Sequence, residues 1–187
     1  MEEEVKRACA VLAKGGVILY PTDTVWGIGC DATDIDAVRR VYEIKQRDDA
    51  KSMLVLIDSA EHLAHYVEAL PAIAMELVTV SENPLTVIYE GARNLASNLI
   101  AADGTIGIRV TNEDFSHALC RRFRKPVVST SANLSGAPSP ATFAEIDAAI
   151  IQAVDYVVNY RRDDLRRARP SSIIKLGNKG EIQIIRQ

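Results

Sequence analysis

The sequence predicts an α/β protein with a mixed β-sheet. Short apolar runs with the composition of strands alternate with segments of helical periodicity early in the chain. The chain then closes with two apolar runs around residues 177–180, a glycine-containing turn that indicates an antiparallel hairpin. Because alternation of helices and strands favours parallel pairs and a hairpin adds an antiparallel pair, we expect both kinds of pairing in one sheet.

Composition predicts one ordinary globular domain over residues 1–187. Hydrophobic residues make up 48% of the 187 residues and charged residues 25%. No run approaches the ~18 apolar residues of a membrane span, and the opening Met-Glu-Glu-Glu lacks the features of a signal peptide, so we expect a cytoplasmic protein without a membrane partner. The cysteines Cys9, Cys30 and Cys120 are scattered and odd in number, which favours buried thiols over disulfides or a zinc site.

Charge is distributed unevenly along the chain. The formal net charge of −3 argues against a protein whose whole surface coats nucleic acid. Residues 121–125 are basic, however, and residues 161–169 hold five arginines against two aspartates. Such patches suit a small anionic ligand, although most charge runs are simply solvated.

The first half of the chain predicts alternating helices and strands. Apolar residues recur on one helical face in the helices, and the strands are short continuous apolar runs. The polar residues 21–24 separate the first two strands, where Pro21 ends strand hydrogen bonding. In order, we expect a helix over 3–14, strands over 17–20 and 25–29, a helix capped by Thr33 or Asp34 that runs to Gln46 and buries Ile35, a strand over 53–57, a helix capped by Ser59, a helix over 71–80 and a strand over 85–89.

The second half predicts the remaining strands and two more helices. One strand runs directly into a polar loop over residues 129–136, which is rich in serine, threonine and asparagine. In order, we expect a strand over 105–110, a helix capped by Asn112 that runs to Phe123, a strand over 126–129, a helix over 143–153, a strand over 156–158 and a hairpin of 172–176 with 181–185.

Four polar groups follow or end predicted strands and helices, the positions at which α/β sheets place binding sites. Two groups contain cations that can neutralise phosphate oxygens, and two offer hydroxyls, amides and loop N–H groups. We find no Ser-His-Asp set, no metal-ligand spacing and no Walker-type loop. The pattern therefore predicts a phosphate-bearing ligand. The groups are Thr22, Asp23 and Thr24; Lys45 and Arg47 with Lys51; Arg109; and Ser131 and Asn133.

Each of these groups also has a purely structural interpretation. Lys45 and Arg47 could form the solvated end of a helix, where cations favour the negative terminus. Residues 131–133 could supply only turn and cap hydrogen bonds. Arg109 is harder to explain in this way, because its strand places it near the buried end of the sheet. Spacing alone therefore leaves the function open.

The order of six motifs closely resembles the YrdC-like family of threonylcarbamoyl-AMP synthases. The motifs are GGVILYPTDTVWGIGCDA, IKQR, PLTVI, TIGIRV, STSANLSG and PSSII, and the match runs from about Gly15 to Arg186. The resemblance implies a twisted, mixed or antiparallel sheet flanked by helices around a basic concave cavity, as a stand-alone catalytic domain. It also implies the condensation of L-threonine, bicarbonate and ATP into threonylcarbamoyl-AMP and pyrophosphate, which serves tRNA threonylcarbamoyladenosine modification.

The resemblance also implies a role for individual residues. Thr22 and Asp23 would shape the threonine pocket, and Mg²⁺ would arrive with ATP without a metal ligand from the protein. Threonine would be bound by Thr24, Arg109, Ser131 and Ser172; the nucleotide by Lys45, Arg47, Lys51, Thr105, Asn133 and Arg186; and the catalytic positions would be Lys45, Arg47, Ser131 and Asn133.

The sequence departs from the family pattern at several positions. Leu56 stands where many relatives have a histidine, and Ala141 replaces a frequent hydroxyl residue. The arginine-rich residues 161–169 replace a glycine-rich approach to the last motif, and we hypothesise that they form a lid over the triphosphate.

Two other functions remain open at this point. One is a module that binds tRNA or double-stranded RNA, and the other is a diverged carbamoyl-adenylate enzyme with another amine acceptor. If the synthase interpretation holds, we expect downstream tRNA threonylcarbamoyl-transfer proteins as partners.

Overall fold

The protein is built on a twisted mixed sheet with helices on both faces. A computed structural model describes residues 1–46, 53–166 and 170–187. In these residues the helices are α1 Glu2–Leu12, α2 Ile35–Lys45, α3 Leu63–Tyr66, α4 Ala74–Val80, α5 Asp114–Phe123 and α6 Ala148–Ala153, with 3₁₀ turns at Ala60–His62 and Phe143–Glu145. The strands are β1 Ile18–Tyr20, β2 Gly27–Gly29, β3 Leu54–Ile57, β4 Leu85–Tyr89, β5 Ile106–Val110, β6 Val127–Ser131, β7 Tyr156–Val157, β8 Ser172–Leu176 and β9 Ile182–Arg186.

The strands of the described ranges form one sheet in the order β7-β1-β2-β6-β3-β5-β4-β8-β9. Pairs β1/β7, β3/β5 and β4/β8 are parallel, whereas β1/β2, β2/β6, β6/β3, β5/β4 and β8/β9 are antiparallel. The predicted mixed sheet and the predicted C-terminal hairpin β8/β9 are therefore both confirmed.

Side-chain capping decides where several helices begin. Asp34 caps α2 by accepting hydrogen bonds from the backbone N–H groups of Asp36 and Ala37. Of the two predicted capping residues, Thr33 and Asp34, the second is therefore the cap. At α5 the predicted cap Asn112 is wrong, because Glu113 accepts from the N–H of Ser116 and starts the helix one residue later. The sequence pattern suggested a cap near this point but could not distinguish these adjacent polar residues.

Two further predictions about helices are corrected by packing. Ile35 is 42% exposed, because the first residue of α2 that faces the core is Ala37. The predicted helix over 143–153 is divided, since Ile146 has an extended backbone and Asp147 caps a separate helix through the N–H of Ala149. The chain thereby buries Ile146 at the break.

Each strand side chain faces one of two layers, because successive residues alternate across a sheet. In β5, Ile106 and Ile108 enter the larger core beneath α2 and α6, whereas Gly107 and Arg109 face the opposite side. On that opposite side α1 and α5 cover only part of the sheet, where Leu12 and Phe115 bury Ile18, Tyr20, Leu56 and Val127. The remainder of this face is left concave, and it contains the site described below.

The three cysteines are free thiols. Cys30 and Cys120 are buried, as predicted, whereas Cys9 is only partly buried. Across the residues that the structure describes, none of the helices combines the length and apolar character needed to traverse a bilayer.

Gly29 is expected to tolerate no side chain. A Cβ at this position would lie 2.3 Å from the carbonyl oxygen of Val128 and 2.7 Å from the ring of Tyr20. Because the first of these is backbone of the paired sheet, Gly29→Ala should lower the free energy of unfolding by about 3 kcal/mol, measured by urea denaturation. Gly104→Ala is the control, since only its left-handed φ of +77° is strained and about 1 kcal/mol is expected. Equal costs for the two variants would contradict this account.

Candidate active site

A cavity of about 260 Å³ lies on the part of the sheet that α1 and α5 leave uncovered. Small residues and hydroxyls dominate its walls, so that backbone groups can approach a ligand closely. Among the described residues that line it, Arg109 and Arg186 are cationic and none carries a carboxylate. The other polar or glycine residues of the lining are Thr24, Gly27, Thr86, Gly107, Ser129, Thr130, Ser131, Ser139 and Ser171.

Arg109 places a guanidinium group at the buried end of this cavity. The residue is 3% exposed, and its Nη2 lies 2.9 Å from Oδ1 of Asp23 and donates to Oγ1 of Thr24 at 3.2 Å. Burial raises the pKa of Asp23, whereas the adjacent Arg109 acts to lower it. Nε of Arg109 is buried without a hydrogen-bond partner in the described part of the chain. A buried donor of this kind is suited to an acceptor that a ligand brings.

The loop that contains Thr22, Asp23 and Thr24 is fixed by its own hydrogen bonds. Oγ1 of Thr22 donates to the carbonyl of Val25 at 2.8 Å and accepts from the N–H of Thr24 at 3.0 Å. Because the single proton of Thr22 is used on Val25, the hydroxyl of Thr24 must donate in the 3.0 Å contact between the two hydroxyls. The hydroxyl oxygen of Thr24 also accepts a hydrogen bond from Arg109. One lone pair of this oxygen is therefore left to accept a hydrogen bond from a ligand.

Arg186 reaches the other side of the cavity from the last strand. Its Nε and Nη2 donate to the carbonyl of Ser171 at 2.9 and 2.8 Å. The hydroxyl of Ser171 in turn lies 2.8 Å from that of Thr86. The predicted residue Ser172 begins β8 and is not among the lining residues, whereas its neighbour Ser171 is.

Sequence reasoning missed Thr86 and Ser171 as cavity residues. A signal for Thr86 was present, because it is the one threonine of the otherwise apolar and aromatic strand β4. Ser171 is adjacent to the predicted Ser172, and only the pairing of β4 with β8 decides which of the two serines reaches the cavity.

Lys45 is buried behind the cavity and does not lie at a solvated helix end. The residue is 1% exposed, and its Nζ donates to the carbonyls of Ser131 and Asn133 at 2.5 and 2.7 Å. These contacts tie the last turn of α2 to the loop that follows β6. Lys45 therefore holds in place the segment that brings Ser131 to the cavity wall.

The other predicted nucleotide residues are not all brought to the cavity. The amide nitrogen of Asn133 donates to the carbonyls of Leu134 and Ala137, and the hydroxyl of Thr105 donates to Asp103; neither residue is in the lining. Arg47 and Lys51 lie outside the described residues. Arg109 and Arg186 are the cationic residues in the described lining of the cavity. Any further basic character of the cavity stays a prediction.

Comparison with known proteins shows to which family the chain belongs. A model of the Sua5/YciO/YrdC family, described as telomere recombination, matches residues 10–187. The chain belongs to this family. The resemblance seen in the sequence motifs is thereby confirmed.

Curated relatives of this Sua5/YciO/YrdC protein carry the name of an enzyme. The chain is 36% identical to the threonylcarbamoyl-AMP synthase of Pseudoalteromonas translucida, over 84% of this chain and 86% of that protein. It is 33% identical to the protein of the same name from Halorhodospira halophila, over 89% and 87% of the two chains. Since these relatives match most of both chains, this member of the family is an enzyme.

Solved structures confirm the fold of this Sua5/YciO/YrdC protein. YciO of E. coli matches with a TM-score of 0.86 and 25% identity, over 100% of this chain and 90% of that chain. Sua5 of P. abyssi, solved in complex with L-threonine, matches with a TM-score of 0.84 and 24% identity, over 94% of this chain. The chain spans about half of that Sua5 chain, with 52% covered.

Proposed function

We propose that the protein is an L-threonylcarbamoyladenylate synthase, a nucleotidyltransferase that converts L-threonine, bicarbonate and ATP into threonylcarbamoyl-AMP and pyrophosphate. The observation that carries this proposal is the buried guanidinium of Arg109 beside the hydroxyl of Thr24 in the cavity. One group suits a carboxylate and the other a hydroxyl, which are two of the three polar groups of threonine. The names of the curated relatives support the same activity.

At the amino-acid end, Arg109 is proposed to bind the carboxylate of threonine. Its buried Nε supplies a donor that no described residue uses. Thr24 would accept a hydrogen bond from the threonine hydroxyl through its remaining lone pair. Selection of threonine over serine depends on one methyl group, worth about 1–3 kcal/mol, so we expect slow activation of serine as well.

At the nucleotide end, Arg186 is proposed to contact ATP from the edge of the cavity, together with Arg47, Lys51 and Thr105 from the resemblance. Lys45 and Asn133 would act by shaping the loop that carries Ser131. Mg²⁺ would accompany ATP, bound mainly through the triphosphate, and would neutralise phosphate charge. The hydroxyl groups of the cavity could contact its water ligands.

The proposed chemistry needs positioning more than a nucleophile from the protein. Bicarbonate supplies carbon dioxide with release of hydroxide. The threonine amine adds to this carbon dioxide and gives up a proton to become a carbamate, so that water is the net by-product. A carbamate oxygen then attacks the α-phosphorus of ATP, the bond from that phosphorus to the bridging oxygen breaks, and pyrophosphate leaves. Cations and fixed hydrogen-bond donors lower the barrier by holding the two reactants and neutralising phosphate charge. Because the product hydrolyses readily, we also propose transfer to downstream tRNA threonylcarbamoyl-transfer proteins.

Pyrophosphate release tests the proposal. We expect release from ATP to require both threonine and bicarbonate, and to fall to background when either is omitted. Release without threonine, or with any amine equally well, would contradict the synthase and favour a diverged carbamoyl-adenylate enzyme. A protein without release that binds tRNA or double-stranded RNA with a steep salt dependence would instead be an RNA-binding module.

A further inference from the structure

Arg161 connects the start of the arginine-rich segment to two other parts of the site. Its Nη1 lies 2.9 Å from Oε1 of Glu113 and donates to the carbonyl oxygen of Thr22 at 3.4 Å. Its Nε and Nη2 donate to Oδ2 of Asp164 at 3.2 and 3.1 Å. A single guanidinium thus joins its own segment to α5 and to the loop that contains Thr24.

The contact with Glu113 provides a rigid anchor. The side chain of Glu113 is 10% exposed, and its second carboxylate oxygen accepts from the backbone N–H and the hydroxyl of Ser116, both at 2.8 Å. Ser116 is itself fully buried and lies 2.7 Å from the hydroxyl of Thr111. Because α5 packs into the sheet, Arg161 is held against a part of the protein that is fixed by its core.

The contact with Thr22 leads directly to the amino-acid end of the cavity. Thr22 holds Thr24 through two hydrogen bonds, and Thr24 accepts from Arg109. Glu113 also acts electrostatically on Asp23, the ion-pair partner of Arg109. Arg161 is the ion-pair partner of this same Glu113. Loss of Arg161 would therefore disturb both the position of the loop and the electrostatic balance next to Arg109.

The backbone conformation of Arg161 is an unusual one, which fits a residue that is held in place by its side-chain contacts. Its φ is +59°, in the left-handed region that non-glycine residues seldom adopt. Such a conformation persists where surrounding interactions fix it, and it clusters at functional sites. The ion pair with Glu113, the bonds to Asp164 and the bond to the carbonyl of Thr22 are interactions of this kind.

We propose that Arg161 is a positioning residue for the amino-acid end of the cavity. It fixes the Thr22 to Thr24 loop against α5, so that Thr24 and Arg109 are preorganised before the substrate binds. This inference rests on the proposed function for the identity of the ligand. It assigns Arg161 a role different from that of a lid residue, which would act on the triphosphate.

Steady-state kinetics of pyrophosphate release distinguish these roles. Arg161→Ala is expected to raise KM for threonine about tenfold while KM for ATP changes by less than about twofold, since only the amino-acid end loses support. Arg161→Lys should recover part of the loss, because an ammonium group can still pair with Glu113 but cannot reproduce the fork. A rise in KM for ATP alone would overturn the proposal and support the lid.

Arg166→Ala is the matched comparator. Arg166 belongs to the same segment and pairs with the same Asp164, at 2.7 Å, but within the described part of the chain no hydrogen bond or ion pair joins it to Thr22 or Glu113. KM for threonine should therefore stay at the wild-type value in this variant. Equal increases for Arg166→Ala and Arg161→Ala would show a general charge effect and contradict the positioning role.

Hydrogen exchange tests the same inference without reference to the reaction. In the ligand-free protein, the backbone amides of Thr24 and Val25 should exchange about tenfold faster in Arg161→Ala than in the wild type, and should be unchanged in Arg166→Ala. Unchanged exchange in both variants would overturn the inference even if the synthase activity is found. Faster exchange in a protein without threonine-dependent activity would retain the structural role and reject the proposed function alone.

Discussion

Replacement of Arg109 by lysine is expected to lower kcat/KM for threonine by about 100-fold, because hydrogen bonds to charged groups are worth about 1.5–3 kcal/mol each. Lysine keeps a positive charge beside Asp23, so the buried carboxylate is not left alone. It loses the planar fork, however, and with it the buried Nε that is available to a ligand. The measurement is threonine-dependent pyrophosphate release at saturating ATP, with KM for ATP determined in parallel and expected to change little.

The control for this variant is Arg39→Lys. Arg39 is 58% exposed and pairs with Asp36 one helical turn away, so its replacement should leave both KM values unchanged. If Arg109→Lys instead lowers the affinity for ATP and threonine equally, Arg109 does not define the amino-acid end of the cavity. Far-UV circular dichroism of both variants excludes a loss of fold as the cause.

Replacement of Lys45 by methionine is expected to lower the free energy of unfolding by about 3 kcal/mol. The change removes a buried ammonium that donates to the carbonyls of Ser131 and Asn133 and leaves these two acceptors without their donor. Urea denaturation gives the free energy directly. Lys6→Met is the control, because Lys6 is 46% exposed and forms a surface ion pair with Glu2, so less than about 0.5 kcal/mol is expected.

The same variant separates two roles of Lys45. If the lysine supports the loop, KM values for ATP and threonine should both rise, since Ser131 lines the cavity between the two proposed ends. A variant that is as stable as the wild type and has lost affinity for ATP alone would show that Lys45 contacts phosphate directly. That outcome would contradict the structural role derived from its burial.

The sequence allowed the order and type of most elements to be predicted because local patterns determine them. The bounds of β4 were predicted to the residue, since a proline precedes an uninterrupted run of β-formers. Arg109 was predicted near the buried end of its strand, and the structure places it there, on the face opposite Ile108. Residues whose role depends on their own strand could thus be found from sequence.

Contacts between distant segments explain what could not be predicted. Periodicity placed Lys45 at the end of α2, but nothing local indicates that its ammonium reaches carbonyls 86 and 88 residues further along the chain. The choice of Ser171 over Ser172 depends in the same way on the pairing of β8 with β4. The bonds of Arg161 to Thr22 and Glu113 also join segments that are far apart in sequence.

The position of β9 has a consequence for the timing of synthesis. This strand carries Arg186 into the cavity and is made by the ribosome after every other described element that lines it. During synthesis the residues around Arg109 therefore leave the ribosome before Arg186, and the carbonyl of Ser171 gains its guanidinium partner only after β9 has been made. The cavity should thus acquire the guanidinium of Arg109 first and that of Arg186 last.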